Sequence, residues 1–167
     1  MKLSKRTAII FQLVIALLYG CKSNDSFQEK FNELRNVDYS QFDNLSIVHR
    51  NGIYYVTYHN KEYKIKRSFL SKKISSVETT FGKSKNSLLS EEDTSFIEHA
   101  LTSFDKIRVQ ALSVDKNGNI DVSLPWSDKC TYYFIRLSKG STLKDLSRSY
   151  YQNYKGSWYM NKQCSER

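Results

Sequence analysis

The sequence predicts an α+β fold in which antiparallel β-meanders pack with two main helices on one face. Two Asn-Gly pairs, at residues 51–52 and 117–118, each lie between short runs of alternating apolar and polar residues. Such runs around Asn-Gly are typical of β-hairpins. Apolar residues at helical spacing precede each set of predicted strands, near residues 26–36 and 90–104. The order helix, meander, helix, meander indicates the α+β class.

The first 21 residues have the layout of a secretory leader. Cations lie at positions 2, 5 and 6, and residues 7–18 are almost all apolar. This apolar run is shorter than the roughly 20 residues that a helix needs to cross a bilayer. It ends in the sequence LYGC, and polar residues follow at once. These features predict a signal peptide over residues 1–20.

The sequence LYGC resembles the lipobox of bacterial lipoproteins, in which an aliphatic residue and two usually small residues precede a cysteine. Tyr19 is larger than the residue usually found at its position, and the resemblance covers the leader alone. It implies that the chain is cut before Cys21 and that Cys21 then carries acyl chains such as palmitate. An ordinary secretory leader, in which Cys21 has no special role, is the alternative.

The resemblance implies a lipid-anchored membrane protein of the cell envelope, in the outer membrane if the cell is Gram-negative. Its first partner would be membrane lipid, since each buried CH₂ of an acyl chain adds about 0.8 kcal/mol of affinity. Residues 21–25 would be a short lipidated tether, and residues 26–167 a single α+β domain. Lys22 and Asp25 of the tether do not indicate which membrane face is used.

The length and charge of the chain exclude few classes of protein or of binding partner. Removal of the leader would leave about 147 of the 167 residues, which is enough for one domain with its own core. The leader carries three of the cations behind the formal net charge of +9. A positive protein attracts anionic lipid, acidic polysaccharide and nucleic acid alike. For an exported, anchored protein we expect no nucleic-acid partner.

Two cysteines remain if Cys21 is lipidated, namely Cys130 and Cys164. Disulfides persist in the oxidising compartments of the envelope, so we expect these two residues to be bonded. Closing a loop of roughly 35 residues would stabilise the fold by about 4 kcal/mol in the chain-entropy model. Two free buried thiols are the alternative.

The first half of the domain contains the clearer hairpin pattern. Ser26 and Glu29 fit a capping box at the start of the first helix, which would lay one apolar face on the domain. Residues 45–67 predict a three-stranded meander with turns at 51–52 and 60–61. Residues 68–89 fit either a further strand or a short helix, and residues 82–88 fit an exposed loop.

The second half begins with the clearest helix. Ser90 is a predicted N-cap, and three acidic residues follow it at the positive end of the helix dipole. Strands are predicted over residues 107–114, 120–124 and 132–137. Residues 142–150 fit a short helix, and residues 156–160 a closing strand that runs on towards Cys164.

Aromatic and basic residues are interleaved over residues 54–67, which suggests a ligand-binding surface, and the aromatic residues over 150–159 could line a carbohydrate groove. Aromatic rings stack on sugars or bases, and neighbouring cations hold anionic groups. Tyrosine is also a strong strand former, so packing within the sheet is the alternative. The candidate ligand-binding residues are Tyr54, Tyr58, Tyr63, Lys64, Lys66 and Trp158.

The other candidate sites have simpler explanations. Residues 115–121 carry oxygen side chains at alternate positions, but their glycine is misplaced for an EF-hand and a hairpin turn explains them. His49, His59 and His99 have no metal-ligand spacing. The SxxK sequence at 141–144 lacks its partner motifs. We expect no metal, no cofactor and no catalytic residue.

The sequence therefore predicts an envelope lipoprotein with a binding or structural role and no catalytic activity. A sheet face would recognise another envelope protein, an anionic glycan or an anionic lipid. One alternative is an envelope hydrolase, which would need His49, His59 and an acid to converge. The other is a protective inhibitor or immunity-type lipoprotein that blocks a toxin or a lytic enzyme.

Overall fold

The computed structural model describes residues 27–79, 89–126 and 129–164. The predicted signal peptide, the lipidation site at Cys21, the tether at 21–25 and the loop at 82–88 lie outside the described residues. The chain divides into two compact units, Met1–Asn36 and Val37–Arg167. No helix in the described ranges has the length and apolar character needed to cross a membrane.

The first unit contributes one helix to the described residues, α1 (Phe27–Arg35). Phe31 and Leu34 are fully buried, as expected for apolar residues at helical spacing. Lys30 is also buried, and its ammonium group lies 2.7 Å from a carboxylate oxygen of Glu33. The helix confirms the predicted one, although the proposed capping residue Ser26 lies outside the described residues.

The second unit contains one antiparallel sheet, with nine strands among the described residues. A short 3₁₀ helix, Ser40–Phe42, precedes the first strand. The strands are β1 (Leu45–Arg50), β2 (Ile53–Tyr58), β3 (Lys61–Arg67), β4 (Ile74–Thr79), β5 (Ala111–Val114), β6 (Ile120–Pro125), β7 (Cys130–Arg136), β8 (Gln152–Lys155) and β9 (Trp158–Cys164). Their spatial order is β4-β3-β2-β1-β5-β6-β7-β9-β8.

The two predicted sets of strands are joined into this one sheet by the pairing of β1 with β5. Leu45 lies opposite Val114, and Val48 lies opposite Ala111. The meander over residues 45–67 is confirmed, and β4 extends it at one edge. At the other edge β8 and β9 form a hairpin, of which the sequence predicted only the second strand.

The hairpin turns follow the backbone preferences of their residues. Asn51 and Gly52 have φ values of 52° and 73°, as the predicted type I′ turn requires. The second turn is formed by His59 and Asn60, with φ values of 48° and 59°. The prediction of Asn60-Lys61 was wrong by one residue, because Lys61 pairs with Tyr58 as the first residue of β3.

The second helix, α2 (Glu91–Ile107), begins where the sequence predicts. The Ser90 hydroxyl oxygen accepts a hydrogen bond from the backbone N–H of Asp93 at 3.0 Å. Arg108 ends the helix in the left-handed conformation, with φ 57°. The predicted strand beginning at Ile107 was therefore wrong at its start, because Ile107 is the last residue of α2 and β5 begins at Ala111.

The predicted helix over residues 142–150 does not form. The backbone N–H of Thr142 donates to the Asp145 carboxylate at 2.9 Å, and the Thr142 hydroxyl accepts from the backbone N–H of Asp145 at 3.3 Å, as in a capping box at a helix start. Ser147 then adopts φ 55°, and the segment continues as turns. A left-handed residue inside the first turns stops helix propagation, so the capping pattern alone was misleading.

Candidate functional site

The sheet of the second unit has two faces with different surroundings. Tyr54 and Tyr58 of β2 lie on the face that contacts α2, where Tyr58 stacks on Phe96 with ring centroids 5.2 Å apart. Side chains alternate along a strand, so Tyr55 lies on the other face. Val48 lies opposite Tyr55, and the two are 37% and 38% exposed. We call the face that carries Val48 and Tyr55 the open face.

Cross-strand pairing places a continuous row of side chains on the open face. Each member of the row is paired directly with the next in the register of the sheet. From β3 to β7 the row consists of Lys64, Tyr55, Val48, Ala111, Ser123 and Tyr133.

Two adjoining cavities follow this row. One has a volume of about 440 Å³ and the other about 460 Å³, and both are lined by Val48 and Arg50. Together they form a depression that we call the Arg50 cleft. Its principal lining residues are Val48, Arg50, Tyr55, Glu62, Asp121, Tyr133, Arg148 and Tyr151.

The connection between β7 and β8 brings Arg148 over the cleft. The backbone N–H of Arg148 donates to the Leu143 carbonyl at 2.8 Å, and its carbonyl accepts from the N–H of Tyr151 at 3.0 Å. One guanidinium nitrogen donates to the Tyr150 hydroxyl at 2.8 Å, and another lies 3.5 Å from a carboxylate oxygen of Asp121. The guanidinium carbon lies 6.0 Å from the ring centroid of Tyr151.

Ionisable groups in this part of the cleft have shifted pKa values. Burial raises the pKa of the Asp121 carboxyl, and the nearby positive charge of Arg148 opposes this only in part. Burial is also the main cause that raises the pKa of Tyr151, and the negative charge of Asp121 adds to it. A carboxyl group with a raised pKa beside a cation in a cleft is typical of functional sites.

The residues that line the cleft include two cations, Arg50 and Arg148, and two acids, Asp121 and Glu62. Lys64 lies beside the cleft, where it pairs with Tyr55 in the row. Arg50 is exposed and has no ion pair within the described part of the chain. A free guanidinium group offers a planar set of donors that matches a carboxylate or a phosphate.

The structure distributes the six predicted ligand-binding residues over both faces of the sheet. Tyr54, Tyr63 and Trp158 are buried, with 8%, 5% and 4% of their surface exposed. Lys64 and Lys66 of β3 alternate with Tyr63 and therefore lie on the open face. The candidate tyrosines Tyr54 and Tyr63 are thus separated from Lys64 and Lys66 by the sheet and do not form one surface with them.

The buried aromatic candidates are held by packing and hydrogen bonds. The Tyr54 hydroxyl donates to Asp105 of α2 at 2.8 Å. The rings of Trp158 and Phe134 form a T-shaped pair with centroids 6.5 Å apart, and the guanidinium carbon of Arg136 lies 5.9 Å from the ring centroid of Trp158. For Tyr54 and Trp158, these contacts favour packing within the domain over ligand binding.

The turn at residues 115–121 is organised by Asp115. One carboxylate oxygen accepts from the backbone N–H groups of Asn117 and Asn119, and the other accepts from the Asn119 side-chain amide. Burial alone would raise the pKa of Asp115, but these hydrogen bonds together lower it. Turn chemistry therefore accounts for the polar residues of this segment.

The three histidines do not share a cavity. His49 stacks on Tyr54 at one end of the first hairpin, with ring centroids 4.4 Å apart. His59 lies at the other end, where it stacks on Tyr58 and lines a separate cavity of about 570 Å³. His99 is exposed on α2. Nowhere in residues 27–79, 89–126 and 129–164 do three metal-ligating side chains converge.

Cys130 and Cys164 lie directly opposite each other on β7 and β9. Their sulfur atoms are 2.06 Å apart, and their Cα atoms are 4.0 Å apart. The prediction that these two residues form a disulfide-compatible pair is confirmed. The cross-link joins strands that are separated by 34 positions in the sequence.

Sequence reasoning missed the residues that line the cleft from distant parts of the chain. Arg50, Asp121 and Arg148 come from β1, β6 and the connection after β7, and no local pattern brings them together. The alternation of β1 could have placed Val48 and Arg50 on one face. The pairing of β1 with β5, which places Asp121 near them, is not a local signal.

Comparison with known protein families, with curated proteins and with solved structures finds no match to this chain. The Arg50 cleft supplies cations and partly exposed aromatic rings, so its chemistry is the main structural indication of what the protein does.

Proposed function

We propose that this chain is a lipid-anchored protein of the bacterial cell envelope that binds an anionic glycan in the Arg50 cleft and does not transform it. The observation that carries the proposal is the meeting of Arg50, Arg148 and the rings of Tyr55 and Tyr133 around adjoining cavities on an open sheet face.

Each kind of side chain in the cleft suits one part of an acidic sugar. The guanidinium groups of Arg50 and Arg148 would hold a carboxylate or a phosphate. The ring of Tyr55, which is 38% exposed, offers an apolar surface to the face of a sugar ring. Asp121 would accept hydrogen bonds from sugar hydroxyl groups.

The positions of the carboxylates favour binding over hydrolysis. Glycoside hydrolysis uses two carboxyl groups about 5–9.5 Å apart. Asp121 on β6 and Glu62 on β3 are separated by four strand spacings, or roughly 19 Å at about 4.8 Å each. Asp115 shares a smaller cavity of about 170 Å³ with Asp121, but its oxygens are used by its own turn.

Binding of short oligosaccharides to the purified chain tests this part of the proposal. We expect calorimetry to detect an oligosaccharide that carries uronic acid or phosphate groups, and not a neutral one of equal length. Arg50→Ala or Arg148→Ala should weaken binding by about tenfold or more, since each removes charge-assisted hydrogen bonds worth about 1.5–3 kcal/mol. Added salt should also weaken it.

Arg108→Gln is a matched control for these variants, because Arg108 is exposed and lies outside the cleft at the end of α2. It should leave the affinity unchanged. Equal binding of neutral and acidic oligosaccharides, or equal loss in all three variants, would contradict the proposed role of the cleft.

The anchor is tested separately by comparing the native chain with Cys21→Ser in a lipoprotein-processing host. We expect the native chain in the membrane fraction, with its intact mass raised by a diacylglyceryl group and an acyl chain. Cys21→Ser should lack both the added mass and the membrane association. Equal solubility and equal, unlipidated masses would show that LYGC is not processed as a lipobox.

The finer architecture, with both helices on the same face of the sheet, also stays a prediction. Double-mutant coupling between Leu34→Ala in α1 and Leu101→Ala in α2 would test it, since residues of a shared core show non-additive free energies of unfolding. If the two losses of unfolding free energy simply add, the prediction that the helices share one face is not supported.

A further inference from the structure

The turn between β3 and β4 presents two large apolar side chains to solvent. Phe69 is 84% exposed and its neighbour Leu70 is 91% exposed. Scattered exposed apolar residues are normal in proteins, but two adjacent side chains at the end of a hairpin form one projecting apolar surface. We call residues 68–73 the β3–β4 tip.

The tip is held in a defined shape by its own hydrogen bonds. The backbone N–H of Ser68 donates to the Lys73 carbonyl at 2.9 Å, and the N–H of Lys72 donates to the Ser68 carbonyl at 3.0 Å. Arg67 donates to the Lys72 carbonyl at 2.6 Å and forms an ion pair with Asp105 of α2. The apolar side chains are therefore presented by a constrained loop that is attached to the helix.

Cations surround the apolar end of the tip. Lys66, Lys72 and Lys73 are all exposed, and the ammonium nitrogen of Lys72 lies 5.0 Å from the ring centroid of Phe69. Residues 66–73 include no acidic residue. An apolar apex with a basic collar is complementary to the surface of an anionic membrane, which offers acyl chains beneath phosphate groups.

We propose that the β3–β4 tip binds an anionic lipid membrane by inserting Phe69 and Leu70 between the headgroups. A stable protein interface buries about 800 Å² on each partner, over some 20–30 residues, and two projecting side chains provide far less. Interfacial membrane binding needs only a small apolar area supported by charge. The inference goes beyond glycan binding and rests on the proposed membrane location for its setting.

The test follows a tryptophan at the tip. The full chain carrying Phe69→Trp is reconstituted in vesicles of phosphatidylcholine alone or of an equal mixture with phosphatidylglycerol, with or without brominated acyl chains. The unsubstituted chain corrects for the native tryptophans, and Tyr150→Trp is the matched control, since Tyr150 is 53% exposed elsewhere on the molecule. We expect a blue shift and bromine quenching for Trp at position 69 only, and only in anionic vesicles.

Further substitutions separate the apolar and charged contributions. In the Phe69→Trp background, Leu70→Ser should reduce the quenching. The pair Lys72→Gln and Lys73→Gln should lower the ratio of inserted to free tip about 25-fold, at about fivefold for each cation near an anionic surface. All of these positions are exposed, so the fold should be retained, as circular dichroism would verify.

Three results would overturn the inference. One is an unshifted, unquenched Trp at position 69 in anionic vesicles, and another is equal quenching in neutral vesicles. The third is a blue shift that depends on protein concentration without lipid, which would indicate contact with a second copy.

Flotation of the chain with neutral vesicles reports the Cys21 anchor independently. If the chain does not float, the same fluorescence measurement is made by adding anionic vesicles to the soluble chain.

Discussion

Replacement of Asp105 by alanine would remove the group that joins α2 to two strands of the sheet. One oxygen of Asp105 accepts from the Tyr54 hydroxyl at 2.8 Å, and the other lies 2.9 Å from the guanidinium group of Arg67. The Arg67 side chain is only 4% exposed. The substitution therefore leaves a buried cation without its counter-ion, and we expect a large loss of stability.

The size of this loss follows from the contacts. Hydrogen bonds to a charged group contribute about 1.5–3 kcal/mol each, and removal of one partner of a buried ion pair costs about 3–5 kcal/mol. The Asp105 side chain is 35% exposed, so water can reach the gap. Arg67 also keeps its bonds to the Lys72 carbonyl and the Thr102 hydroxyl. We expect the free energy of unfolding to fall by about 2–3 kcal/mol.

Urea unfolding followed by circular dichroism measures this change, provided that the dependence on urea concentration is the same for each variant. Asp43→Ala, which removes an exposed carboxylate, is the control and should change stability by less than about 0.5 kcal/mol. Asp105→Ala and Arg67→Ala should be non-additive, since the two side chains are in contact. The reasoning is refuted if Asp105→Ala costs no more than the control, or if the two substitutions simply add.

Three further predictions use other parts of the structure. Reduction of the Cys130–Cys164 pair, or its replacement by two serines, should lower the free energy of unfolding by about 4 kcal/mol. Urea unfolding with and without reductant measures this change, and the same urea midpoint in both conditions would count against the disulfide. Phe134→Ala should cost about 3–5 kcal/mol because its side chain is fully buried, whereas Phe69→Ala should be nearly neutral in the same assay. Burial raises the pKa of Tyr39 above its ordinary value of 10.0, so the stability that its neutral form contributes is fully present below pH 10 and is lost as the pH rises further. Tyr39→Phe should make the free energy of unfolding fall less steeply above pH 10. An unchanged pH dependence would argue against this role of Tyr39.

Much of the fold could be predicted because its signals are local. The Ser90 cap, the Asn51-Gly52 turn and the alternation of residues 45–67 each depend on a few neighbouring residues. The errors occurred where local signals compete. Thr142 and Asp145 resemble a helix start, but a left-handed residue follows at Ser147.

The candidate site was harder to predict because strand alternation separates neighbours. Tyr63 and Lys64 are adjacent in the sequence, yet they lie on opposite faces of the sheet. Arg50 and Arg148 are far apart in the sequence, yet they line the same cavity. Composition alone would therefore group Tyr63 with Lys64 and would not connect Arg50 with Arg148.

The sequence by itself determined the Ser90 cap, the Asn51-Gly52 turn and the cysteine pair, since each is a property of a short stretch or of residue type. The tertiary structure alone decided that β1 pairs with β5, and so joined two meanders into one sheet. It also decided that the segment after β7 brings Arg148 over the open face. Such pairings join residues as far apart as Leu45 and Val114. They are selected by burial over the whole core, which no short stretch of sequence encodes.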